Sequence, residues 1–220
     1  MKLLKTTYAA AAFALAAMLP AAAHADGLEV LNEGFDNVAA LPGWTQVNNS
    51  APPGTGWFQG NPDILSSHAG APDAYAGASF LGAAHGAGSV DNWLITPTLN
   101  LSGTTTLSFF TSQEGTPGYA DLLEVRFAAG SGAGTDSFST LLTTIGGASS
   151  YPSTWEEFSA SVAVDGPGRF AFRYLGDAEA LNYVGIDSVR VVTAVPEPSL
   201  YLMLAAGLGA LPLLRRKLAK

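Results

Sequence analysis

The chain has no cysteine. Disulfides, thiolate nucleophiles, Cys-ligated zinc and iron–sulfur clusters are therefore excluded, and the fold must be held by an apolar core or by a metal bound through other ligands. Positive charge is also scarce. Six of the ten basic residues (Lys2, Lys5, Arg215, Arg216, Lys217 and Lys220) lie at the two ends. Between 26 and 194 only Arg126, Arg169, Arg173 and Arg190 remain, with no lysine, against seventeen carboxylates, which gives a charge of −13. Nucleic acid is excluded as a partner on this balance, because binding it requires phosphates to be neutralised by Lys and Arg. An acidic surface instead suits solubility and divalent cations outside the cell. Histidine is nearly absent too. His24 lies near the N-terminus, and His68 and His85 are too far apart for a helical metal pair.

The two ends read as export and sorting segments. Residues 1–25 combine a basic start, an apolar middle from Tyr8 to Leu19 and a closing Ala23-His24-Ala25. That is the layout of a signal peptide cleaved before Asp26. At the other end, 195–220, Pro196-Glu197-Pro198 precedes an apolar run from Leu200 to Leu214, and Arg215-Arg216-Lys217 closes it. The basic cluster keeps that end in the cytoplasm. About fifteen residues at ~1.5 Å each fall short of a ~30 Å hydrocarbon core, so the span suits a temporary anchor. This tail resembles the PEP-CTERM sorting signal of Gram-negative bacteria that make exopolysaccharide. The resemblance implies an exosortase as partner, a transient inner-membrane anchor, cleavage near the motif and transfer to the cell surface or extracellular matrix. Short helices are expected only in these two flanking segments.

The segment 26–194 has the length of one domain and a period of two. Leu123, Val125 and Phe127 alternate with Leu122, Glu124 and Arg126, and Phe170, Phe172 and Tyr174 alternate with Ala171 and Arg173. Thr104–Phe110, Trp155–Val164 and Tyr183–Val192 are further β-branched and aromatic runs, separated by turns such as Asp165-Gly166-Pro167-Gly168. The pattern predicts an all-β antiparallel sandwich of eight or more strands. Pro52–Gly88 reads as a long loop with one strand at Ala78–Leu81.

An ordered set of motifs then spans nearly the whole domain. Asn32-Glu33-Gly34-Phe35-Asp36, Leu41-Pro42-Gly43-Trp44-Thr45 and Gly56-Trp57-Phe58 are followed by Phe80-Leu81, Asp91-Asn92-Trp93-Leu94-Ile95-Thr96-Pro97 and Leu107-Ser108-Phe109. Leu123-Glu124-Val125 and Tyr183-Val184-Gly185-Ile186-Asp187-Ser188-Val189 complete it. The set resembles the choice-of-anchor J, or cleaved-adhesin, domain. The resemblance implies a jelly-roll sandwich akin to MAM and carbohydrate-binding modules. It also implies a structural Ca²⁺ where the first and last strands meet, with Glu33, Asp36 and Asp187 in ligand-like positions. The alternative is that Glu33 and Asp36 are polar residues beside Phe35 and that Asp187 bonds to backbone.

Enzymatic chemistry finds little support. Ser66, Ser67 or Ser89 can be drawn with His68 or His85 and Asp63, Asp73 or Asp91, yet no nucleophile elbow is present. Glu156 and Glu157 are adjacent on a strand and point to opposite faces, so they cannot act on one sugar together. Trp44 and Trp93 are expected in the core. Tyr75, Tyr119 and Tyr151 sit in Gly- or Pro-flanked loops, which makes them the expected platform for stacking on sugar. The sequence thus predicts a non-catalytic surface or exopolysaccharide-matrix protein that binds glycan. A purely structural surface domain and a secreted hydrolase with an unrecognised site are the alternatives.

Overall fold

The computed structural model describes residues 27–132 and 134–195. The expected signal peptide, the sorting motif Pro196-Glu197-Pro198, the apolar run and Arg215, Arg216 and Lys217 lie outside the described residues.

Among the described residues twelve strands run in order: β1 (Leu28–Glu33), β2 (Thr45–Asn48), β3 (Phe58–Gln59), β4 (Ala76–Ser79), β5 (Ser89–Ile95), β6 (Leu99–Leu101), β7 (Thr104–Gln113), β8 (Leu122–Ala129), β9 (Thr140–Gly146), β10 (Glu156–Ala163), β11 (Gly166–Asp177) and β12 (Tyr183–Thr193). They form two six-stranded sheets in a jelly-roll-like sandwich. One has the order β10-β7-β12-β4-β3, with β1 also on β12; the other has β2-β5-β11-β8-β9, with β6 also on β11. The strand pairs are antiparallel. The longest strands, β11 and β12, anchor their sheets, and each is flanked on one side by two short strands placed end to end.

The alternation read in the sequence sets the inward faces. Leu123, Val125 and Phe127 of β8, Phe170, Phe172 and Tyr174 of β11, and Leu107 and Phe109 of β7 are buried in one core between the sheets. Phe109 meets Phe172 edge-on across the sandwich, with ring centroids 4.9 Å apart. Burying each such ring is worth about 1.5–3 kcal/mol, and no disulfide is needed. On β12 the parity changes: Val184 and Ile186 point inward, then Val189 and Val191. The register shifts between Asp187 and Arg190, and Ser188 has φ +53°. This is a β-bulge, one extra residue that re-aims the strand and turns Asp187 toward a covering loop.

The Pro52–Gly88 stretch carries more structure than expected. It holds β3 and β4, with the strand at Ala76–Ser79 instead of Ala78–Leu81, and short 3₁₀ turns at Phe80–Gly82 and Ala84–Gly86. Between β3 and β4 the loop 60–75 lies across the outer face of the first sheet. Its ties are Trp155 Nε1 donating to the Ser66 carbonyl at 2.7 Å, Ala69 N–H donating to Asp187 Oδ2 at 3.0 Å, and the His68 ring stacked on Phe110 at 3.5 Å.

Candidate functional site

The three carboxylates expected to hold calcium lie near one corner. Glu33 ends β1 and pairs with Val189 of β12, two residues past Asp187. Its Oε1 accepts the Phe35 N–H at 2.8 Å. Asp187 is fully buried and accepts from Ala69 N–H and Ser188 N–H. Asp36 Oδ1 lies 3.7 Å from where a Cβ on Gly70 would stand, so it faces the same loop. Burial pushes the Asp187 carboxyl above its usual range, against the lowering effect of the N–H donors and of His68. Among the described residues, no group of three His, Asp or Glu side chains is placed to hold a metal ion.

The expected tyrosine platform does not form. Tyr75 is fully buried beneath the 60–75 loop, where its hydroxyl donates to the Asn61 carbonyl and meets the Tyr183 hydroxyl, both at 2.9 Å. Tyr151 is also buried, its hydroxyl 2.5 Å from Thr111 Oγ1. Neither ring can offer a face to a sugar. Glycines that are not their sequence neighbours leave space for the rings: a Cβ on Gly60 would stand 2.2 Å from Tyr75, and one on Gly146 2.7 Å from Tyr151. Tyr119 alone of the three is exposed, at 44%.

The other candidates resolve in the same way. Trp93 is buried, on the outer side of the second sheet against Phe138 and under Arg173, and half-buried Trp44 packs edge-on to Phe35. His68 is exposed, its ring lies stacked on Phe110, and its Nδ1 meets Ser188 Oγ at 3.1 Å. The Asp187 carboxylate bonds to that serine and to backbone N–H groups and not to the imidazole, so among the described residues it does not orient the ring as the acid of a triad would. His85 is exposed with φ +64°. Asp63 is in an exposed turn.

Tyr119 leads to a site the motifs did not mark. At one end of the sandwich, two depressions meet at Phe80. The first, of 220 Å³, is walled by Phe58, Tyr183, Ile64 and Leu81, with Asn182 and Glu114 on its polar side. The second, of 260 Å³, lies between Phe80, Tyr119, Leu181 and Glu179. Ile64, Leu81 and Tyr119 are three of the large apolar side chains exposed among the described residues, and all three line this end. Its backbone is pinned. Phe80 N–H donates to Asn182 O at 3.0 Å, Thr55 N–H to Leu81 O at 2.8 Å, and Ala120 N–H to Ala180 O at 2.7 Å. Gly86, at φ +68°, lets the Phe80 ring lie against the backbone, since a Cβ there would come within 2.8 Å of it. Asn182 Nδ2 donates to Glu114 Oε2 at 2.7 Å, and Asn182 N–H donates to buried Asp121 Oδ1 at 2.9 Å. The rim is thus tied to the core. It offers apolar faces beside fixed acceptors, which is the chemistry of a binding site.

Comparison with known proteins agrees with this architecture. The K1 cleaved adhesin domain of Lys-gingipain from Porphyromonas gingivalis superposes with a TM-score of 0.60 at 22% identity, covering 76% of this chain and 99% of that one. The K3 domain of the same protein gives 0.58 at 23% identity, covering 76% and 99%. No curated protein matches the sequence. The model of the Cleaved Adhesin Domain family matches residues 28–191, from the first strand to the last. The chain belongs to the cleaved adhesin domain family, and its sandwich is a non-enzymatic domain of the adhesin type.

Proposed function

We propose that this protein is an exported surface or matrix component that holds glycan at the Phe80 end of the sandwich. The observation that carries this reading is the gathering of Ile64, Leu81 and Tyr119, all exposed, around two adjoining depressions with amide and carboxylate groups on their walls. Scattered exposed apolar residues mean nothing; a cluster of them beside polar acceptors is how a surface meets the CH face and hydroxyl edge of a sugar. The test is binding of the purified protein to the host's exopolysaccharide. Saturable binding lost in Phe80→Ala supports the reading. Absence of binding leaves a structural surface domain, and the search moves to protein partners.

Sorting belongs to the same reading. The Pro196-Glu197-Pro198 motif, the apolar run and the basic end support recognition by an exosortase after membrane insertion. Deleting the exosortase should leave the protein cell-bound with its tail intact. Release in such a strain would remove this step. Calcium is proposed for the corner shared by Glu33, Asp36 and Asp187, where a cation would relieve the like-charge repulsion of three carboxylates near one another. Raised thermal stability with Ca²⁺, reversed by chelator, is the expected result. A melt unchanged by either removes the metal.

A further inference from the structure

We infer that the two depressions meeting at Phe80 are consecutive subsites for a single uncharged glycan chain, and that the site rejects acidic sugars. This rests on the glycan-binding reading above and specifies the ligand class. Phe80 is the shared wall, so a chain crossing the end of the sandwich places one ring on each side of it. The two volumes together reach the ~300–1,000 Å³ range of small-molecule sites. On one side Phe58 and Tyr183, tilted with centroids 5.7 Å apart, make an apolar floor; on the other Tyr119 does so.

The polar groups are acceptors or neutral amides. Glu114 borders the first depression and Glu179 the second, and neither is lined by Lys or Arg. Asn182 donates to one oxygen of Glu114, which fixes that carboxylate and leaves its other oxygen for a ligand donor. Sugar hydroxyls supply such donors. A uronate or sulfate would bring an anion against Glu114 and Glu179, within a domain already at −13, with no guanidinium or ammonium in the wall to meet it.

The experiment is calorimetric titration of the purified protein. The neutral probes are β-1,4-linked hexamers of glucose, xylose and N-acetylglucosamine. The acidic probe is a galacturonate hexamer, and each is run at low and high salt. At least one neutral hexamer binds, with less than about twofold change on adding salt, since no charge pair is formed. Its disaccharide is retained far better than its monosaccharide. Tyr119→Ala weakens it by about five- to tenfold, the worth of one aromatic contact, and Phe80→Ala abolishes it. Tyr119 is exposed, so its variant should keep the parental melting temperature even if Phe80→Ala does not fold. Galacturonate binds only when Glu114→Gln and Glu179→Gln are combined. Equal or tighter galacturonate binding in the parent overturns the inference while glycan binding itself stands. Neutral binding that ignores Tyr119→Ala and Phe80→Ala overturns the location. Failure of every probe and of the exopolysaccharide removes the glycan reading as well.

Discussion

Asp121 offers the sharpest test of how the site is tied to the core. It is buried, its Oδ1 accepts from the Tyr174 hydroxyl and from Asn182 N–H, and its Oδ2 has no partner among the described residues. Replacing it with Ala leaves two buried donors unmet at about 1–3 kcal/mol each, so Asp121→Ala should cost about 2–6 kcal/mol. That is a large share of the ~5–15 kcal/mol that stabilises a domain. Asp121→Asn keeps an oxygen at the Oδ1 position and both bonds, so it should fold. The two variants part on pH. Desolvation raises the Asp121 carboxyl above 3.8, more than the Tyr174 and Asn182 bonds lower it. A raised folded-state pKa means the native state holds the proton longer than the unfolded chain does. The contribution is therefore fully present below about pH 3.8 and is lost as pH rises through the folded value. Each unit of elevation is worth about 1.36 kcal/mol. Urea unfolding of both proteins from pH 4 to 8 follows this group, because carboxylates that do not interact with it cancel in the difference, leaving Asp121 together with Glu114, whose charge adds to the rise. The parent should gain on Asp121→Asn once pH falls through the raised folded-state value, and the gain should grow toward pH 4. A difference that is flat with pH, or that grows as pH rises, refutes the argument.

Three further outcomes follow from the packing. Phe172→Ala removes the ring that meets Phe109 across the sandwich and should lower stability by about 3–5 kcal/mol in chemical denaturation. Gly185→Ala places a methyl 2.8 Å from Tyr75 and 2.9 Å from Trp155, and overpacking there should cost about 1–3 kcal/mol in the same assay. Trp155→Phe removes the bond to Ser66 while keeping an aromatic ring, so protease cleavage within 60–75 should speed up with little change in global stability; unchanged cleavage would show that the loop is held elsewhere.

Much of the sandwich is legible in the sequence because its long strands alternate cleanly. On β8 and β11 each inward residue is large and apolar, and the residues between include Arg126 and Arg173, so only one register buries the right face. The short strands are not legible, for a physical reason. Ala76-Gly77-Ala78-Ser79 carries no branched or aromatic side chain, because Gly77 must pass beneath Phe58 and Tyr183; a Cβ there would stand 2.9 Å from the Phe58 ring and 2.7 Å from the Tyr183 hydroxyl. Small residues that permit close approach look like loop sequence. The bulge at Ser188 is hidden as well, since nothing in Ile186-Asp187-Ser188-Val189 distinguishes an extra residue from an ordinary alternation.

The same confusion between space and exposure governs the site. Glycine beside tyrosine reads as a turn that lifts the ring into solvent, and for Tyr119 it does. For Tyr75 and Tyr151 the glycine that matters is not the neighbour in sequence. Gly185 stands under Tyr75 from another strand, and Gly146 faces Tyr151 across a turn. Each removes a side chain from the surface on which the ring then lies, so it buries the aromatic it touches. The Phe80 end is assembled from four separate stretches, contributing Phe58 and Ile64, Phe80 and Gly86, Glu114 and Tyr119, and the run from Glu179 through Leu181 and Asn182 to Tyr183. No single stretch has a binding motif. The site exists because β12 brings Asn182 and Tyr183 beside Phe80, through Phe80 N–H on Asn182 O, and because Asp121 holds Asn182 from below. In a chain this poor in charged and nucleophilic motifs the candidate site is therefore a matter of geometry, built where strand ends converge on a rigid core.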